Sequence, residues 1–157
     1  MIIKILSKQR IYAFLLSLGA SILLFRTVQM LFFENALNIL VLWVSVLLIA
    51  ECLIDFACLV SSIRWLISND ELKASIPLRL GATTTILHAI RVLIYVLGRT
   101  VPWINFDVKP EQRALYITNW FWVYFAAILS ILGVVGVIVI WKLRQRTKKQ
   151  NILSKNV

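Results

Sequence analysis

Histidine, cysteine and acidic residues are scarce in this 157-residue chain. It contains one histidine, two cysteines and seven acidic residues, with five glycines and three prolines. Cys52 and Cys58 lie six residues apart in one apolar run, so they form no C-x-x-C pair and would lie nearly opposite each other on a helix. No glycine-rich phosphate loop and no H-E-x-x-H motif occurs. These absences exclude the common thiol, phosphate-binding and zinc-protease motifs.

A catalytic or cofactor site finds little support in these residues. Ser62 is a candidate nucleophile for His88, but inside a predicted helix the neighbouring N–H groups are bonded and provide no oxyanion donors. Haem held between two histidines would need the second one from another chain. His88, Asp55 and Cys58 are residues of the types that bind transition metals, but only one polar stripe supports such a site. No catalytic or metal-binding residue is predicted, and no cofactor is expected.

Charge is also scarce, whereas long apolar runs are abundant. Hydrophobic residues make up 61% of the chain and charged residues 15%, and the mean hydropathy is +0.86. Soluble domains have about 45–50% apolar and about 25% charged residues. Because a helix needs about 20 apolar residues to cross a bilayer, the runs predict an all-α integral membrane four-helix bundle. The predicted spans cover about 11–33, 37–67, 78–97 and 117–141.

The basic residues lie mainly at the ends of the apolar runs. They define a basic N-terminus, 1–10, and a basic tail, 142–157, which share one side of the membrane if the spans number four. Twelve of the 17 lysines and arginines fall on that side and three on the other. The positive-inside rule therefore places both termini in the cytoplasm. The predicted location of the protein is the inner membrane of the cell. The tail is predicted to contact anionic lipid headgroups, and nucleic acid is not an expected partner.

Spans two and three each carry a polar stripe with the same offsets, i, i+4, i+7 and i+11. Span two has acidic, thiol and hydroxyl side chains at these positions: Glu51, Asp55, Cys58 and Ser62. Span three has hydroxyl, imidazole and guanidinium groups there: Thr84, His88, Arg91 and Tyr95. With about 3.6 residues per turn, each set lies on one face of its helix.

An antiparallel pairing of these two spans brings the stripes together. If the chain turns near residues 72–73, facing positions have numbers that sum to about 145. Asp55 is then expected within a turn of His88 and Arg91. The same register puts Glu51 between Arg91 and Tyr95. Ser62 would face Thr84.

We call Glu51, Asp55, His88 and Arg91 the polar cluster. A charge at the bilayer centre costs about 2.5–3.5 kcal/mol on insertion scales. Pairing Arg91 with Asp55 or Glu51 removes much of this cost, and its five N–H donors can bridge both acids. Two acids then face one certain cation. Either His88 or one acid is protonated, or Arg26 or a partner subunit supplies the missing charge.

Arg26 interrupts span one in its outer third, and Glu34 follows two turns later. The expectation is that Arg26 extends towards Glu34 and the headgroups. A buried partner or a lipid phosphate is the alternative contact for Arg26.

The predicted role is an accessory or scaffold subunit of a larger membrane complex or of a homo-oligomer, in which the polar cluster fixes the register of spans two and three. The alternatives are a proton- or ion-handling transporter or channel subunit that uses the cluster, and docking against charges on another membrane protein. A redox subunit with haem or quinone near His88 is the third function considered. Small residues on two spans are the predicted contact surfaces: Ala13, Ser17 and Ser21, and Ala126, Ser130 and Gly133.

Overall fold

The computed structural model describes residues 2–68, 70–100, 106–113 and 120–153. Within these ranges the chain is helical and contains no strand, apart from one isolated β-bridge between Leu40 and Val108. The prediction of an all-α fold is confirmed. The helices, in chain order, are α1 (Ile2–Phe32), α2 (Ala36–Ile39), α3 (Leu42–Ser68), α4 (Ser75–Thr100) and α5 (Trp120–Leu153), with 3-10 turns at Glu71–Ala74 and Pro110–Gln112.

Four of these helices are long and apolar enough to cross a membrane, as predicted. Their apolar segments are Gln9–Phe32, Leu42–Ser68, Ser75–Gly98 and Val123–Lys142. The first and third lie close to the predicted spans, although α4 begins before residue 78 and continues past residue 97. The first three residues of the predicted fourth span, 117–119, lie outside the described residues.

The predicted second span is interrupted before α3. Leu40 is extended, with φ −80° and ψ 152°. On either side of it the backbone bonds to a distant segment: the Val41 N–H donates to the Asp107 carbonyl at 3.0 Å, and the Lys109 N–H donates to the Ile39 carbonyl at 2.9 Å. The Val41 N–H and the Ile39 carbonyl are thus bonded outside the hydrogen-bond pattern of a continuous helix. The helix predicted from residue 37 therefore begins later, at the start of α3.

The long helices alternate in direction and pack in sequence, α1 on α3, α3 on α4, and α4 on α5. One apolar cluster joins the first half of α1, the second half of α3, the start of α4 and the end of α5, with Leu16, Cys58, Trp65, Leu78 and Ile140 among its members. A second cluster lies at the other end of the helices and contains Ala36, Leu40, Val44 and Leu48. A polar layer separates the two clusters.

Helix α5 lies at the side of a core formed by α1, α3 and α4, because it packs chiefly on α4. Ser130 is buried, and a Cβ added at Gly133 would meet the side chain of Thr85, so small residues permit this close approach. α5 continues to Leu153, so much of the predicted separate tail is helical and continuous with the fourth apolar segment. Residues 154–157 lie outside the described residues.

Candidate functional site: a buried polar layer

The polar layer crosses the interface of α1, α3 and α4. Its side chains are buried, with at most 7% of each residue exposed. The four residues of the polar cluster all belong to it, together with two threonines. The polar layer consists of Thr27, Glu51, Asp55, Thr84, His88 and Arg91. Spacings of three and four residues place the members of α3 and of α4 on one face of each helix.

Glu51 forms the central ion pair of the layer. Its Oε2 accepts a hydrogen bond from Arg91 Nε at 2.6 Å, and its Oε1 accepts one from Arg91 Nη2 at 3.2 Å. This two-point contact suits the planar geometry of both groups. The remaining guanidinium nitrogen, Nη1, lies 3.2 Å from the sulfur of Met30 on α1. Arg91 therefore pairs with one acid and does not bridge both.

His88 completes the contacts of Glu51. Its Nδ1 lies 2.8 Å from Glu51 Oε1 and 2.8 Å from Arg91 Nη2. A guanidinium can only donate and a carboxylate can only accept, so Nδ1 serves one of these neighbours at a time. In either case, the buried Nε2 has no hydrogen-bond partner among the described residues.

Asp55 is separate from this ion pair. Its Oδ2 lies 3.2 Å from the hydroxyl of Thr27 on α1. The hydroxyl of Thr84 on α4 is also close, but outside hydrogen-bonding geometry, and Asp55 Oδ1 has no partner within the described ranges. No lysine, arginine or histidine in the described part of the chain is within salt-bridge distance of Asp55. A negative charge here would be buried without a paired cation.

The register between α3 and α4 differs from the predicted one. Glu51 occupies the position beside His88 and Arg91 that the prediction gave to Asp55, and Asp55 lies beside Thr84. The expected pair of Ser62 with Thr84 is therefore wrong, whereas Glu51 does lie beside Arg91, as expected. The connection between the two helices, after Ser68 and before Ser75, includes residues 72–73, as predicted, so the difference lies in how α3 and α4 are aligned along their axes.

The supporting positions have varied environments. Cys58 is buried, and its Sγ lies 3.8 Å from the carbonyl of Pro77. Ser62 is fully buried, with no hydrogen-bond partner for its Oγ among the described residues. Tyr95 is half-buried, beyond Arg91 along α4. Cys58 and Ser62 thus lie along the helix interfaces, beside the hydrogen bonds that connect the polar layer.

Arg26 lies next to the layer in sequence but faces a different partner. It forms an ion pair with Glu34, including a contact of 3.4 Å between Nη2 and Oε2. Both groups are partly exposed at the end of α1. This geometry agrees with the expected extension of Arg26 towards Glu34.

Thr27 is the member of the layer that the sequence reasoning missed. It follows a row of buried residues on α1 with alternating steps of three and four, which is the pattern of a face packed against other helices. The row is Ala13, Leu16, Ala20, Leu23 and Thr27. Following these steps of three and four from Ala13, instead of the steps of four through Ser17 and Ser21, would have identified Thr27.

Comparison with known protein families, curated proteins and solved structures gives no match. The chemistry of the layer follows from its geometry alone. Among the described residues, no group of three or more histidine, cysteine, aspartate or glutamate side chains is arranged to hold a metal ion. The layer instead combines a closed ion pair, Glu51 with Arg91, and a buried acid, Asp55, for which the described residues provide no cation within salt-bridge distance.

Proposed function

We propose that this chain is a multi-pass membrane protein that serves as an accessory or scaffold subunit of a membrane complex or homo-oligomer. The observation that carries the proposal is an inverted distribution of polarity. Glu51 and Asp55 are fully buried, whereas Phe25 is 72% and Phe121 67% exposed, and all four long helices carry large apolar side chains outward. Water disfavours such a surface, whereas lipid or a partner subunit covers it favourably.

Hydrogen bonds across the polar layer support a structural role within such a subunit. The Glu51–Arg91 pair connects α3 to α4, and the contact of Thr27 with Asp55 connects α1 to α3. Each contact is specific to one register of its helix pair. In a membrane, where apolar burial does not drive helix association, such contacts hold helices in place.

The partner-binding surface differs from the predicted one. Ala13, Ser17 and Ser130 are buried against helices of the same chain, so these small-residue faces are already occupied. The outward side of α5 remains available because α5 packs chiefly on α4, and Ile131 and Leu132 are more than 60% exposed there. We assign this side of α5 to contacts with another subunit or a second copy.

The basic end of α5 supports the proposed orientation and lipid contact. α5 continues past its apolar segment to Leu153, through a stretch rich in lysine and arginine, and Lys142 at the boundary is exposed. A basic helix end beside a membrane attracts anionic headgroups, at about 1 kcal/mol per cation. This end of α5, with the N-terminus, is proposed to lie in the cytoplasm at the inner membrane.

Native mass spectrometry of a mild detergent extract tests the scaffold role. We expect the chain to copurify with other membrane subunits, or with copies of itself, in fixed stoichiometry. Leu132→Trp on the outward side of α5 is expected to abolish this association. Leu53→Trp on α3 is the matched control because Leu53 is similarly exposed. A monomer in every mild extract, or equal effects of both variants, would contradict the proposal.

A second candidate function is proton or ion handling within the membrane. It is favoured by Asp55, a buried acid with no cation in salt-bridge range among the described residues. Acids of this kind in membrane spans often belong to ion pathways. Proteoliposomes of the purified protein are expected to conduct protons, and Asp55→Asn is expected to abolish the flux. Cys52→Ser serves as control, and no flux from the unaltered protein would refute this function.

A further inference from the structure

We propose that Asp55 is a proton-binding site, and that its carboxyl group holds a proton and donates a hydrogen bond to Thr27. The inference rests on the second candidate function and deepens it. The ion handled by the polar layer is then a proton, and Asp55 is the residue that binds it. The Glu51–Arg91 ion pair belongs to the same layer but does not take part in this proton binding. The argument depends on the number of hydrogen-bond donors available around Thr27.

The Thr27 hydroxyl is surrounded by three oxygen atoms. Its Oγ1 lies 3.2 Å from the carbonyl oxygen of Leu23, 3.0 Å from that of Leu24 and 3.2 Å from Asp55 Oδ2. If Asp55 is ionised, all three are acceptors, and one hydroxyl proton can serve only one of them well. If Asp55 is protonated, Thr27 donates to a backbone carbonyl and accepts from Asp55. With a neutral acid, the hydroxyl hydrogens of both side chains therefore have an acceptor.

The charges around Asp55 lead to the same conclusion. The titratable and charged groups near Asp55 are Glu51 and Cys58 on its own helix, α3, and His88 and Arg91 on α4. Arg91 is engaged by Glu51 through two N–H groups. α1 contributes the neutral Thr27, while its neighbour Arg26 pairs with Glu34, and α5 has no charged residue from Trp120 to Trp141. An ionised Asp55 would thus be a second buried negative charge without its own cation.

An imidazole ring, that of His88, lies along α4. Thr84 is beside Asp55, and His88 follows four residues later on the same face. Thr84 Oγ1 and His88 Nε2 are both buried and have no hydrogen-bond partner among the described residues. If the ring is neutral and donates from Nδ1 to Glu51, Nε2 carries a lone pair that can accept a proton. Transfer of the Asp55 proton to Nε2 would give a carboxylate and an imidazolium, leaving the net charge of the layer unchanged.

Infrared spectroscopy of the full chain in lipid nanodiscs tests the proton on Asp55. At neutral pH we expect a carbonyl band of a protonated carboxylic acid that shifts in D₂O. Asp55→Asn is expected to remove it, whereas Glu111→Gln, at an exposed acid, is expected to retain it. The absence of the band in the folded protein, or its persistence in Asp55→Asn, would overturn the proposal.

Thr27→Val provides a second test if Asp55→Asn fails to fold. Loss of the Thr27 acceptor is expected to move the acid band to higher frequency without removing it, and an unshifted band would refute the hydrogen bond. Sodium chloride is compared with choline chloride, because a band removed by sodium alone would show that Asp55 binds an alkali cation instead. Proteoliposome flux is measured separately. A band without flux supports the proton site and rejects the second candidate function, whereas flux without a band rejects the site.

Discussion

Glu51 makes more polar contacts than Asp55, the other acid of the layer. The geometry of these contacts explains how the Glu51–Arg91 ion pair is retained inside an apolar molecule. Both of its oxygens are used, by two nitrogens of Arg91 and by the ring of His88. Separated, each charge would have to be buried alone. Each partner of the pair therefore stabilises the fold mainly by neutralising the buried charge of the other.

Replacement of Glu51 by alanine is expected to be severely destabilising. The change leaves the Arg91 guanidinium buried without a carboxylate, and breaking a buried pair in this way costs about 3–5 kcal/mol. Denaturant unfolding in detergent micelles measures the loss. The double variant Glu51→Leu with Arg91→Met is expected to recover most of it, since no charge remains unpaired. A Glu51→Ala protein as stable as the original would contradict this account.

Asp55→Asn, in contrast, is expected to unfold close to the original protein. An asparagine amide has nearly the shape of a protonated aspartate and can donate to Thr27 Oγ1, 3.2 Å from Asp55 Oδ2. The same unfolding measurement, run beside Glu51→Ala, separates the two acids. Equal destabilisation by the two substitutions would mean that Asp55 carries an essential charge.

The members of the polar layer could be predicted from sequence better than their partners. Polar residues at helical spacing in an apolar run indicated Glu51, His88 and Arg91, because burying such groups is costly without a reason. The bond of Asp55 to Thr27 could not be found in this way. Burying a threonine in an apolar helix costs little free energy, so Thr27 does not stand out in the sequence. Its partner Asp55 lies 28 residues away on another helix, α3.

At the scale of the helices, Gly81 sets how closely α1, α3 and α4 approach. A Cβ added there would lie 2.8 Å from Leu16 Cδ1 and 3.7 Å from Cys58 Sγ. Gly81→Val is therefore expected to overpack this junction and destabilise the protein by about 1–3 kcal/mol. Gly136→Val is the matched control, because a Cβ at Gly136 meets nothing within 4 Å.

The Gly81 experiment includes an internal test of its cause. Adding Leu16→Ala to Gly81→Val removes the side chain that the new valine would meet, so the combined loss is expected to be smaller than the sum of the two single losses. Thermal unfolding of the four proteins measures this coupling. Strictly additive losses would show that α1 does not limit the space at Gly81.

The break before α3 makes a further prediction about helix ends. The amides of Val41 and Lys109 donate to residues far away in sequence, so we expect both to exchange slowly with D₂O. Lys109→Pro removes one of the two donors and is expected to speed exchange at the remaining one, the Val41 amide, while leaving the Glu51–Arg91 region protected. Rapid exchange of both amides in the original protein would refute the pairing.

Helix identity was predictable from apolar length, whereas helix ends and register were not. Residues 37–41 are as apolar as the helix that follows, so no local signal marks the extended Leu40. Its conformation depends on a backbone pairing with the segment around Val108. Similarly, no local signal fixes the register of α3 against α4, and a difference of a few residues was enough to place Glu51, and not Asp55, beside His88.

For the whole molecule, the polarity of the interior and surface is the reverse of that in a soluble protein. Apolar side chains cover the outside of four long helices, and the charged residues Glu51, Asp55 and Arg91 lie between them. The core of α1, α3 and α4 is tied together by polar contacts, while α5 is attached along one side. In the proposed scaffold role, the three-helix core would stay constant while α5 contacts lipid or another subunit.

Cysteine labelling of intact cells tests the proposed orientation. Lys73, in the turn before α4, and Glu111, between α4 and α5, are both exposed and lie at opposite ends of α4. With both termini in the cytoplasm, Glu111→Cys is expected to react with a membrane-impermeant maleimide, and Lys73→Cys only after permeabilisation. The unaltered protein provides the blank, because Cys52 and Cys58 lie within the apolar segment of α3. Labelling of Lys73→Cys but not Glu111→Cys in intact cells would mean that the twelve-to-three bias of basic residues does not set the orientation.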